Sequence, residues 1–112
     1  MRDDRQRLMD MLEAIEKIEQ YVSSESASQI LADDELLNVW VVHHLQIIGE
    51  AASKISPAFR EAHPEVAWGG MIGMRHVLVH GYFETNTALV WKVIERDLPQ
   101  LKAQLKKILE EE

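Results

Sequence analysis

Residues 75–82 read RHVLVHGY, which sets Arg75, His76, His80 and Tyr82 among apolar neighbours and a single glycine, Gly81. Arginine offers a planar fork of donors suited to a phosphate, and histidine titrates close enough to neutrality to take or give a proton. Together they meet the minimum for metal-free RNA cleavage: a base for the 2′-hydroxyl, an acid for the leaving oxygen and a cation for the phosphate. On a regular helix, Arg75 and His80 point about 140° apart while Arg75 and Tyr82 fall nearly in line. One helix face cannot present all three. They converge if the helix loosens at Gly81, or if a second copy of the helix faces the first across a cleft. A plainer reading is also open: Arg75 pairs with a carboxylate, His80 sits where the helix dipole favours a cation, and Tyr82 packs at an interface.

The remaining histidines raise a metal reading. His76 and His80 are four apart and could grip one ion from a single helix face, with His43 or His44 as a third ligand. No nearby carboxylate completes the set and the chain has no cysteine, so no metal is expected. His43 and His44 point to different sides of their helix, and His44, on an apolar stripe, is expected in the core or at an interface. Trp40, Trp68 and Trp91 could stack bases but are expected as core anchors.

These residues need helices to position them. Leu8, Leu12, Ile15, Ile18 and Val22 repeat at helical spacing, behind a start at Asp3 or Asp4. After the polar 23–28 stretch and a short helical turn, Asp33 or Asp34 caps a second helix over 34–55. Two apolar stripes run along it: Leu37, Trp40, His44, Ile47, Ala51 and Ile55, and beside them Val41, Leu45, Gly49 and Ala52. Such a helix wants neighbours on two sides, which suggests burial between other helices and a second subunit, in a homodimer built on the second stripe and the glycine-bearing third helix. Residues 56–68, with two prolines, read as a connection with a helical turn. A third long helix runs from Glu65 to Val79, and its Gly69, Gly70 and Gly73 suggest close helix-to-helix approach. The last begins at Asn86 or Thr87, carries Leu89, Val93, Leu98, Leu101, Leu105 and Leu109 on one face, and is kinked or divided near Asp97 by Pro99. The expectation is an all-α, up-down four-helix bundle with short extra helices, in a single domain over residues 1–112.

Bulk composition narrows the class. A chain of 112 residues without cysteine, signal peptide or membrane-spanning stretch fits a cytoplasmic protein. The net charge of -7 argues against a nucleic-acid binder, but it is uneven. Residues 1–56 hold 5 Lys/Arg against 11 Asp/Glu, whereas residues 68–109 hold 6 against 3. A polyanion would meet the second half. The terminal Glu110, Glu111 and Glu112 are expected to be solvated.

Arg75, His80 and Tyr82 resemble the R-x-x-x-x-H-x-Y motif of the HEPN superfamily, and specifically its HepT-like toxins. IIGEAASKIS (47–56) is similar to the family's second-helix signature, WGGMIGMR (68–75) to its lead-in to the arginine, and ALVWKVIERDLPQL (88–101) to its last helix. His76 departs from the asparagine common after the arginine, and could share the proton transfer. The resemblance implies a homodimer whose motif helices line one cleft and cleave RNA without a metal or other cofactor. In it Arg75 steadies the phosphate, His80 is the acid/base, and His76 is a polar helper. Glu50 falls on an acidic position near the cleft of some relatives; a solvated helix glutamate is the other reading. The resemblance further implies the toxin of a type VII toxin–antitoxin system, silenced when an MntA-like nucleotidyltransferase antitoxin adenylylates Tyr82. Other HEPN proteins supply a second hypothesis, a non-catalytic partner that binds nucleotide or scaffolds a nucleotidyltransferase.

Overall fold

The computed structural model describes residues 3–22, 35–80 and 87–111. The described chain is all-α: α1 (Asp4–Tyr21), α2 (Glu35–Lys54), α3 (Pro57–Ala62), α4 (Trp68–His80), α5 (Thr87–Lys92), a π-helical turn (Val93–Asp97) and α6 (Leu98–Glu111). No described helix is long and apolar enough to cross a membrane.

Local chemistry sets the boundaries. Asp3 caps α1 with its carboxylate on the Gln6 amide at 2.8 Å, and the Gln6 side chain returns a bond to the Asp3 amide at 3.1 Å. This reciprocal box satisfies two of the donors that a helix start leaves open. The Asp33 or Asp34 cap, and the turn expected after residues 23–28, lie outside the described residues. α3 is the expected helical turn, capped by Ser56 and opened by Pro57. α4 begins at Trp68 rather than Glu65, because residues 64–66 form a turn. The Val66 amide bonds His63 O at 3.3 Å, and the Trp68 indole donates to the same carbonyl at 2.9 Å. Near Asp97 the last helix is divided as expected, with the Leu98 amide reaching back to Val93 O in a π-type bond. Pro99 has no amide hydrogen to offer the preceding turn, so that turn widens.

The core explains the order. Leu8, Met11, Ile15 and Ile18 of α1 are fully buried, as are Val41, Leu45 and Ile48 of α2 and Leu105 of α6. Met11 and Ile108 take core positions that the apolar spacing assigned to Leu12 and Leu109, which are only partly buried. α2 is the central helix, packed on α1 and on α4, and α6 lies against α1. Ser56 donates its amide and hydroxyl to the Asp4 carboxylate at 2.8 and 2.6 Å. The end of α2 is thereby pinned to the start of α1, and the two helices run antiparallel.

Two expectations are corrected. The second stripe of α2 does not await another subunit: Val41, Leu45 and Ala52 are fully buried within one chain. α1 and α4 already supply its two neighbours. Nor do the α4 glycines make the close approach. A Cβ at Gly69 or Gly73 would meet nothing within 4 Å, and at Gly70 only Ala67 Cβ at 3.7 Å. The close approach is at Gly49 of α2, where a Cβ would collide with Arg75 Cβ and stand 2.8 Å from Met71 O. Backbone cannot yield as a side chain can, so only glycine fits that seam.

Gly49→Ala is therefore expected to destabilise the fold by about 1–3 kcal/mol in urea titration. Gly73→Ala, with open space and a helix-interior position, should leave the fold unchanged or stabilise it by up to roughly 1 kcal/mol. The opposite ranking would mean that α2 and α4 meet elsewhere.

Candidate active site

Arg75 is placed by the seam that Gly49 creates. Its Cβ lies against Gly49, and its guanidinium reaches along α2 to the next residue, with Nη2 2.9 Å from Glu50 Oε2. The other oxygen of the same carboxylate, Oε1, receives Lys54 Nζ at 3.3 Å. One carboxylate thus holds two cations of different origin, one from α4 and one a turn further along α2. Arg75, Glu50 and Lys54 have side chains 39%, 42% and 50% exposed, so both cations keep a solvent-facing side. The guanidinium is oriented by one edge and can bond an incoming phosphate oxygen with its remaining donors.

Arg75 and Glu50 also line the end of an open cleft of about 380 Å³ between α1 and α2. Arg7, Asp10, Glu13 and Lys17 form its α1 wall, one above another at helical spacing, and His43, Gln46 and Ile47 form much of its α2 wall. His44, at its base, is 7% exposed. Its Nδ1 lies 2.8 Å from Trp40 O, and its ring centroid is 4.1 Å from that indole, the two planes tilted by 40°. A carbonyl oxygen only accepts, so Nδ1 carries the hydrogen and Nε2 of the neutral ring is an acceptor. This is the core histidine expected from the stripe. His43 was expected on a different side of the helix from His44, but both line this cleft; His43 is exposed, with its ring edge-on to His44 at 5.4 Å.

The other candidates lie along α4. The helix stays regular through His80, which keeps about 140° between the Arg75 and His80 positions. No loosening before Gly81 brings them together. The His80 side chain and all of Tyr82 lie outside the described residues. In register, His80 shares one helix face with Gly69, Gly73 and His76, all three exposed, and Val77 beside them is 55% exposed. Gly73 and Val77 of this face also line a small pocket with Leu45, Val90 and Val93, whereas Arg75 faces α2. Among the described residues no three His, Asp or Glu groups converge as a metal cage. Glu50 is the carboxylate that the plain reading of Arg75 required, but the pair lines a cleft. Lys54, Arg7 and Gln46 were not singled out by the sequence; the i,i+4 spacing of Glu50 and Lys54 was the available signal for the first of them.

Glu50→Gln should change stability by less than about 1 kcal/mol, because the pair is solvent-screened. Denaturant midpoints of the variant and the unaltered chain check this. A loss several times larger would make the carboxylate part of a structural network instead.

The Ribonuclease HepT-like family model matches residues 11–108. A probable ribonuclease HepT of Thermococcus cleftensis is 36% identical over 107 residues, covering 96% of each chain. A relative in Caldanaerobacter subterraneus subsp. tengcongensis, provisionally named an RNase, is 35% identical over 112 residues, spanning 100% of this chain and 99% of its own. Another such relative, in Methanocaldococcus jannaschii, is 32% identical over 104 residues, 93% of this chain and 94% of its own. No solved structure is significantly similar. With its arginine held at the end of a cleft and a family match over nearly its whole length, the chain belongs to the HepT-like ribonucleases of the HEPN superfamily.

Proposed function

We propose that this chain is a metal-independent RNA endonuclease, acting as the toxin of a type VII toxin–antitoxin pair. The observation that carries the reading is the placement of Arg75: oriented by Glu50, half-exposed, and at the end of a cleft. In the reaction the 2′-oxygen attacks phosphorus as its proton passes to a base. The bond to the 5′-oxygen breaks as that oxygen receives a proton from an acid. Charge gathers on the phosphoryl oxygens, where Arg75 stabilises it. His80 supplies the proton transfer, with His76 as a polar helper.

A single histidine cannot be base and acid at the same instant, and a homodimer resolves this. Gly69, Gly73 and His76 on one face of α4, with Val77 beside them, are exposed, and the His80 position falls within that face. Two copies packed through that face would bring two His80 residues together at the dimer seam, a place distinct from the α1–α2 cleft, one as base and one as acid. The exposed glycines would let the helices approach closely. This moves the dimer contact from the second α2 stripe, whose Val41, Leu45 and Ala52 are buried, to the α4 face.

Arg75→Ala and His80→Ala are each expected to lower cleavage at least about a hundredfold while leaving helical circular dichroism unchanged. The unaltered chain should remain active in chelator, and His76→Asn should stay active. Cleavage persisting in either alanine variant would return the motif to a structural role. A folded unaltered chain that cleaves no RNA would favour the non-catalytic HEPN partner.

Control is assigned to Tyr82, two residues beyond His80. An adenylyl group transferred there from ATP by an MntA-like nucleotidyltransferase would bring a negative phosphate and a bulky base close to the catalytic groups. It would repel the RNA backbone from Arg75 and fill the cleft. Co-expression with such an enzyme should add adenylyl mass to Tyr82 in peptide mass spectrometry, and Tyr82→Phe should escape neutralisation. Modification mapped elsewhere, or full neutralisation of Tyr82→Phe, would leave complex formation as the means of control.

A further inference from the structure

We infer that the α1–α2 cleft is a nucleotide-binding subsite: it takes one unstacked nucleotide of the RNA, next to the phosphate held by Arg75. The inference rests on the ribonuclease reading for its substrate and on the cleft itself for its geometry.

The cleft has two unlike ends. Because α1 and α2 run antiparallel from the Asp4–Ser56 contact, Arg7 lies toward the end marked by Glu50 and Arg75, and Lys17 toward the end marked by His43. Glu50, Gln46 and His43 follow one another along one side of α2, and the first and last are about 10 Å apart along the axis. That is the reach of one nucleotide from its phosphate to the far edge of its base. The Arg7–Arg75 end suits phosphate, and the His43–Gln46 end suits a base.

The walls carry chemistry matched to that division. Arg7, Lys17 and Arg75 stand against Asp10, Glu13 and Glu50, three cations against three carboxylates. Such balance would not draw in a run of phosphates, but it suits a base and ribose with one phosphate at the mouth. Several lining groups also have hydrogen-bonding capacity. Arg7 Nε is buried without a partner among the described residues. Gln46 is half-buried on the α2 wall, with a side-chain amide that can both donate and accept. His44, more than nine-tenths buried, lines the cleft, with its ring held through Nδ1 by Trp40 O. His43, held edge-on by His44, presents an exposed ring for stacking. Single-stranded RNA is read in this way, with bases splayed out, stacked on aromatic rings and bonded along their edges.

The test uses short RNAs that the unaltered chain cleaves, each carrying one abasic nucleotide immediately 5′ or 3′ of the cut. Loss of the base at one of these positions should raise KM roughly tenfold, the scale of one stacked base, and leave kcat near its starting value. The same RNA should make little difference to His43→Ala and Gln46→Ala, whose KM on intact RNA should already be raised. A phosphate contact by Arg7 predicts that Arg7→Ala lowers the salt dependence of RNA binding by about one ion. Cleavage indifferent to abasic sites on both sides, or a penalty undiminished in both variants, overturns the subsite while leaving the ribonuclease reading intact. Failure of the unaltered chain to cleave any RNA overturns that reading, and the subsite with it.

Discussion

The rest of the site depends on the contact between α2 and α4 at Gly49. Because a Cβ there would collide with Arg75 Cβ and crowd Met71 O, the two helices meet at a distance that only glycine permits. That distance brings Arg75 within 2.9 Å of Glu50, the residue after the glycine. Close packing and site assembly are therefore one event. The sequence Gly49-Glu50 places the helix and supplies the carboxylate in consecutive residues.

A half-exposed ion pair contributes little to stability, so its value must be sought in orientation. Held at one edge by Glu50, the guanidinium has its donor fork oriented, and would lose less freedom on meeting a phosphate. The carboxylate also tempers the positive charge, as does the acidic wall of the cleft. An RNA-acting chain with a net charge of -7 must concentrate its attraction at a few cations. Arg75, Lys54 and Arg7 lie toward the same end of the α1–α2 pair and are the groups placed to do so.

Much of this was legible in the sequence, and the exceptions have physical reasons. The all-α architecture, the Asp3 cap, the break of the last helix near Asp97 and the burial of His44 follow from spacing and local hydrogen bonding. RHVLVHGY pointed to Arg75, and IIGEAASKIS to Glu50 beside it. What was misread concerns which partner covers a face. Two apolar stripes on α2 suggested burial between other helices and a second subunit. α1 and α4 bury the second stripe, while Leu37, Trp40 and Ile47 of the first stay partly exposed, since periodicity marks a face as apolar without saying what covers it. Glycines carry the same ambiguity. Gly69, Gly70 and Gly73 drew attention by number, yet the single Gly49 makes the contact, because close approach is a property of two helices together. Arg7 and Gln46 left no signal, since a cleft between α1 and α2 brings together residues about 40 positions apart.

On the proposed mechanism, Glu50 acts on cleavage through Arg75. A double-mutant cycle on RNA cleavage tests it most directly, comparing the unaltered chain, Glu50→Gln, Arg75→Lys and the double variant. Glu50→Gln alone should slow cleavage. In the Arg75→Lys background, where the planar fork is already gone, it should have little further effect. Two penalties that simply add, each at full size in the other's presence, would contradict the account and leave Glu50 with an independent role.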